Sequence, residues 1–167
     1  MRLFLSALEP SANIHAKEVV RELLALLALE STLDSKATLE IVGVFDSSLF
    51  AELSHRGAIK LAPHYHPRDF SIMGFSDVAV KIPFLWRAQR ELAAIALEAD
   101  VIMLMDSSSF HIRLSKRIRA MQPPNKRATI YYYILPQLFA WKSWRAKILE
   151  RYCDTLLGIL PFEAEYY

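Results

Sequence analysis

Glycine is scarce where it would be most informative. The chain of 167 residues has 4 glycines, and none lies in "SALEPSANIHA" (Ser6–Ala16), the turn after the first apolar run. A glycine-rich turn between strand and helix is the usual cradle for a dinucleotide, so that fingerprint is excluded here. No G-x-S-x-G or P-loop pattern occurs either, which leaves a hydrolase elbow and a standard phosphate loop without support. The single cysteine, Cys153, rules out a disulfide framework and fits a reducing compartment. No apolar run reaches the length of a membrane span, and the longest, Ile130–Trp141, is broken by Pro136 and Gln137. The opening "MRLFLSAL" is stopped by Glu9 and Pro10, so it reads as a buried strand rather than a signal peptide. A net charge of +2 with scattered charges offers no basic tract for nucleic acid. His64 and His66 lack a third ligand at a strong spacing, so no metal site is expected.

What is present points to one folded domain. Hydrophobic residues make up 53% of the chain and charged residues 23%, the balance of a globular protein with a substantial core. Strand and helix patterns alternate. The predicted strands are Arg2–Ala7, Leu39–Phe45, Ile59–Ala62, Asp100–Met105, Ala128–Tyr133 and Thr155–Leu160. The predicted helices are Ala12–Leu29 with Ser11 as N-cap, Ser47–Arg56 closed by Gly57, Pro83–Glu98, Ser109–Met121 and Lys142–Tyr152. Such alternation predicts an α/β fold with a doubly wound, mostly parallel sheet. The chain stops at "LPFEAEYY" as another helix begins. That end is expected of a fragment, or of a domain whose next element comes from another polypeptide.

In a parallel sheet, ligands gather outside the carboxyl ends of the strands. Four stretches fall there: "LEPSAN", "PHYHPRDFSIMGFSD", "DSSSFH" and "ILPQLFAWKSW". Asp106 ends an apolar strand and precedes three serines. It is either a rigidly held general base or, with its serines, a cap for the following helix. Glu9 is either a site carboxylate or an acid stabilised by a helix N-terminus. His15 and His111 near helix starts suit hydrogen bonding as well as catalysis. In "FSDVAVKIPFLWRAQRE", Phe84, Leu85 and Trp86 stand beside Lys81, Arg87 and Arg90, a mixture that suits anionic lipid if it is not all core.

Four blocks in order resemble the lipid-A-disaccharide synthase family, inverting glycosyltransferases of the GT-B type. They are "FSIMGFSDV", "MDSSSFHIRL", "ILPQLFAWKSWRAKI" and "CDTLLGILPFE". The resemblance covers only the first of the family's two Rossmann-like domains, the acceptor-side half of a GT-B fold. This half by itself is therefore expected to be inactive. The resemblance implies transfer of 2,3-diacylglucosamine from UDP to 2,3-diacylglucosamine 1-phosphate (lipid X), with inversion, giving a β(1→6) disaccharide and UDP. It implies no metal and no cofactor. It also implies a cytoplasmic enzyme peripheral on the inner membrane, with a homodimer as a further expectation.

Matched residue by residue, Asp106 and Glu9 become the candidate bases. Ser11, Asn13, Met73, Gly74 and Arg145 become acceptor contacts, and Phe84, Leu85 and Trp86 membrane contacts. The chain departs from the family pattern at Leu8 and Ala12, which replace glycines. It departs again at Asn13 and Ser109, which replace aspartates, and at His111, which replaces an asparagine. Two lost carboxylates reduce the candidate bases to Asp106 and Glu9. The competing reading is a truncated, non-catalytic module that binds acyl sugars or a membrane surface.

Overall fold

Six short strands pair in parallel in the order β3-β2-β1-β4-β5-β6. The computed structural model describes residues 1–30, 38–54, 59–71, 75–123, 125, 127–136 and 144–165. The strands are β1 (Arg2–Ala7), β2 (Leu39–Val44), β3 (Ile59–Tyr65), β4 (Val101–Met105), β5 (Thr129–Tyr133) and β6 (Thr155–Leu157). The helices between them are α1 (Pro10–Glu30), α2 (Ala51–Ser54), α3 (Phe75–Ala96), α4 (Ser108–Met121) and α5 (Trp144–Tyr152). This is the doubly wound α/β arrangement expected from the alternation of patterns. Its order reverses between β1 and β4, where a crevice opens at the strand ends.

Alternating side chains divide the core in two. Leu3, Leu5, Leu39 and Ile41 face one side and pack with Ala12, Ala16, Val20 and Phe50 from α1 and the segment before α2. Phe4, Val42, Ile102, Leu104 and Ile130 face the other, against Ala88 and Leu92 of α3, Leu114 and Ile118 of α4, and Leu149 of α5. Cys153 is buried in this second layer, and burial pushes its thiol up to about 12, so it behaves as a small apolar residue.

Several boundaries differ from the pattern-based reading. Helix α1 starts at Pro10, where a proline ring presets the first helical φ. The Glu9 carbonyl accepts the first turn's bond from the Asn13 N–H (3.1 Å), so Ser11 lies inside the helix and is not its cap. Helix α3 begins at Phe75, which places Pro83 in its interior instead of its first turn. One backbone bond is lost there, yet burial of Ala88, Leu92 and Ala96 anchors the helix beyond it. Strand β6 stops at Leu157 because the Glu163 carboxylate accepts the Ile159 and Leu160 N–H groups (2.8 and 3.0 Å). Gly57 and the start of the expected Lys142–Tyr152 helix lie outside the described residues.

At Gly43 the β2–β3 register shifts, and the backbone takes a φ of +117°. A Cβ there would sit 2.3 Å from the Leu5 carbonyl oxygen. Gly43→Ala is expected to lower folding stability by more than about 2 kcal/mol, read as a fall in the urea midpoint with an unchanged slope.

Candidate active site at the strand crossover

Strands β1 and β4 end side by side, with Ala7 opposite Met105, and the acids follow closely, Asp106 directly after β4 and Glu9 one residue further beyond β1. Asp106 and Ser107 both adopt left-handed backbone conformations, φ 55° and 43°, without being glycine. Such residues persist only where neighbours hold them. The holding groups are visible. The Asp106 carbonyl accepts hydrogen bonds from His111 Nδ1–H (2.8 Å) and from the Tyr132 hydroxyl. A carbonyl can only accept, so His111 carries its proton on Nδ1. Nε2 is then the acceptor for the buried Ser6 hydroxyl (2.8 Å). His111 is fully buried, and desolvation lowers its pKa to about 4, so the ring is neutral.

The reversed turn also answers the question of capping. Ser107 occupies the cap position of α4 but makes no side-chain cap bond. Asp106 Oδ1 accepts its neighbour's Ser107 N–H (2.7 Å), and its carboxylate lies beside that of Glu9. The Glu9 pKa is raised by desolvation first, then by the Asp106 charge and a hydrogen bond between the two side chains.

Arg145, from the start of α5, reaches the same place. Its guanidinium donates to Ser108 Oγ (3.0 Å) and Ser109 Oγ (3.5 Å) at the α4 N-terminus, and it lies 5.5 Å from the Trp144 ring centroid. Its Nε is buried and has no partner among the described residues. A guanidinium beside a helix N-terminus is a suitable place for an anionic group.

A groove of about 950 Å³ runs from Glu9 and Ser107 between α3 and α4. Its walls are mainly apolar, from Leu8, Phe70, Leu85, Trp86, Phe110 and Met121. Arg113, Lys116 and Arg117 line its other side. One wall is braced by an aromatic cluster: Tyr65, Phe70 and Phe84 meet at 5.3–5.7 Å between ring centroids, and Phe110 joins Phe70 at 5.2 Å.

The structure treats the candidate residues differently. Asp106, Glu9 and Arg145 come to one edge. Ser11 is exposed on α1 and does not line the groove. Asn13 is buried and spans the turn: Nδ2 donates to the Ala7 and Glu9 carbonyls (2.8 Å each), and Oδ1 accepts from the Asp46 N–H (2.8 Å). Met73 and Gly74 lie outside the described residues. Phe84 packs into the aromatic cluster, whereas Leu85 and Trp86 face the groove. His64 pairs with Glu91 (3.2 Å), and His66 caps the turn Pro67–Phe70. Among the described residues, no group of three or more such side chains could hold a metal.

Sequence reading passed over Gln89 and the basic side of the groove. Arg113, Lys116 and Arg117 stand three and four residues apart, a spacing that puts them on one helix face. That periodicity was the available signal.

A doubly wound α/β domain, with an acid pair and a cation at its crossover and an apolar groove leading away, defines a ligand-binding domain of the Rossmann-like class. The family model described as lipid-A-disaccharide synthetase matches residues 3–167. Lipid-A-disaccharide synthase of Helicobacter acinonychis (strain Sheeba) is 43% identical over 165 residues, covering 99% of this chain and 38% of the relative. That of Helicobacter pylori (strain Shi470) is 44% identical over the same shares. That of Campylobacter jejuni (strain RM1221) is 34% identical over 173 residues, covering 100% of this chain and 42% of the relative. The chain belongs to the lipid-A-disaccharide synthase family, and it spans about two fifths of the length of these relatives. No solved structure matches it.

The neutral, buried His111 has a consequence for acid stability. Below about pH 6.5 an unfolded chain protonates this histidine, while the folded chain resists until about pH 4. Stability is therefore fully present above 6.5 and is lost as pH falls between these values, by roughly 3 kcal/mol at most. His111→Gln should be less stable at neutral pH but decline less steeply from pH 7 to 4, measured as melting temperature against pH.

Proposed function

We propose that this chain is the acceptor-side portion of a lipid-A-disaccharide synthase. In this reading the protein transfers 2,3-diacylglucosamine from UDP to the free hydroxyl of lipid X. The acceptor oxygen bonds to the anomeric carbon, the bond from that carbon to the UDP oxygen breaks, and the configuration inverts. The acceptor's proton passes to Asp106. The observation that carries the reading is the acid pair at the crossover: desolvation and the neighbouring Asp106 raise the pKa of Glu9, and the Asp106 carboxylate, fixed by its turn, is the group offered to the hydroxyl proton. Arg145 and the α4 N-terminus offer positive charge to the phosphate of the acceptor. The nucleotide-sugar site falls in the part of the longer relatives that this chain does not span.

The membrane part of the reading rests on α3. Among the described residues no helix is long and apolar enough to cross a membrane. Ile82 is 46% exposed and Trp86 60% exposed. Arg87, Arg90 and Arg117 share a trough with Trp86. Apolar tips among arginines suit shallow contact with anionic lipid at the inner membrane. Phe84 is committed to the aromatic cluster, so Ile82, Leu85 and Trp86 carry the contact.

The roles of the two acids are tested in a protein that joins this chain to the remaining sequence of its longer relatives. Asp106→Asn should lower disaccharide formation by at least about a hundredfold, whereas Glu9→Gln should keep measurable turnover. Residues 1–167 alone should show none. Full activity of Asp106→Asn removes it as the base, and the opposite pattern exchanges the two roles. For the membrane contact, replacing Ile82 and Trp86 with glutamate should weaken cosedimentation with anionic vesicles several-fold at an unchanged melting temperature. Unchanged binding returns the contact to another face.

A further inference from the structure

The ring of Tyr132 belongs to the core, but its hydroxyl is not needed there. The side chain is fully buried, in the same apolar layer as Ile102, Leu104 and Leu114. Its ring meets the His111 ring edge-on, centroids 6.2 Å apart. A phenylalanine would fill this space equally well. A hydroxyl carried into such surroundings is disfavoured unless it finds a partner. The partner is the Asp106 carbonyl.

That carbonyl is one end of a lever. It belongs to the trans peptide joining Asp106 to Ser107, a rigid plane whose C=O and N–H point in opposite directions. On the C=O side, the Tyr132 hydroxyl and His111 Nδ1–H together occupy both lone pairs of the oxygen. On the N–H side, Ser107 donates to Asp106 Oδ1 (2.7 Å). Whatever sets the tilt of this plane therefore sets the carboxylate. Strand β5 holds Asp106 at both of its backbone groups: the Tyr133 carbonyl accepts the Asp106 N–H (3.1 Å), and the Tyr132 hydroxyl takes its C=O. His111 sits on α4 itself, one turn past the plane. Tyr132 is the donor that arrives from a neighbouring strand.

We propose that Tyr132 is a positioning residue: its hydroxyl sets the tilt of the Asp106–Ser107 peptide and so holds the Asp106 carboxylate where a substrate hydroxyl reaches it. The inference rests on Asp106 being the base, as read above. Tyr132 itself touches no reacting atom. Without its hydroxyl, the strain of two left-handed residues is less opposed, and the carboxylate samples directions away from Glu9. The groove walls do not depend on this bond, so turnover falls and affinity does not.

The test removes that one oxygen. In the protein that joins this chain to the remaining sequence of its longer relatives, Tyr132→Phe should lower kcat about tenfold, with KM changed less than about twofold. Tyr131→Phe loses a hydroxyl one residue earlier, on the other face of β5, and should change neither. A second readout needs no turnover. Carboxyl-carbon NMR on the chain itself follows the titration of Glu9, whose pKa the neighbouring Asp106 helps to raise. In Tyr132→Phe that pKa should move toward the ordinary carboxylate value without reaching it, since desolvation remains. A hydroxyl that only stabilises the core would lower the melting temperature and leave both readouts as in the wild type. An unchanged kcat, or an unchanged Glu9 titration, overturns the proposal. Should Tyr132→Phe not fold, both measurements are made in a Ser107→Gly background and compared with Ser107→Gly alone, because glycine relieves one of the two strained residues. Asp106→Asn separates this proposal from the reading it rests on. If it is inactive while Tyr132→Phe is fully active, the positioning role alone fails; if it is active, the base itself is lost.

Discussion

The backbone reversal at Asp106 is the constraint on which the edge of this domain depends. An aspartate and a serine are held in left-handed conformations by two donors into one carbonyl, His111 Nδ1–H and the Tyr132 hydroxyl. Turning that carbonyl inward sends the Asp106 side chain outward, beside Glu9, and starts α4 at Ser108. Without those donors, relaxing two strained residues would favour an ordinary turn. The cost falls on the scaffold, and the gain is a carboxylate in a fixed position.

Electrostatics at this edge follow from burial as much as from charge. His111 is kept neutral because its surroundings are dry. The pKa of Glu9 is raised by partial desolvation and by the neighbouring Asp106. Arg145 approaches through serine hydroxyls and meets no carboxylate in its described contacts. Negative and positive groups are thus kept in separate places, the acids at the β1–β4 crevice and the cations at α4 and α5.

Much of the fold was legible from local pattern. The buried runs of β1, β4 and β5 and the alternation with helices sufficed for the sheet, because a doubly wound fold repeats one unit. Boundaries failed where a distant partner decides them. Pro83 looks like a helix start until the packing of Ala88 and Leu92 is seen to carry the helix through it. Asp106 was identified as a candidate, but its left-handed backbone depends on Tyr132, 26 residues away, and no local rule exposes that. Asn13 was read as a contact for the acceptor, yet its side chain spans from the first turn to Asp46, 33 residues on.

His111 has a mechanical meaning beyond its protonation state. Through Ser6 it grips β1, through the Asp106 carbonyl β4, and that carbonyl also takes the hydroxyl of Tyr132 from β5. Three adjacent strand ends are thereby joined into one rim. A displacement of any one of these strand ends is therefore transmitted to the other two, so the β1–β4 crevice moves as a unit.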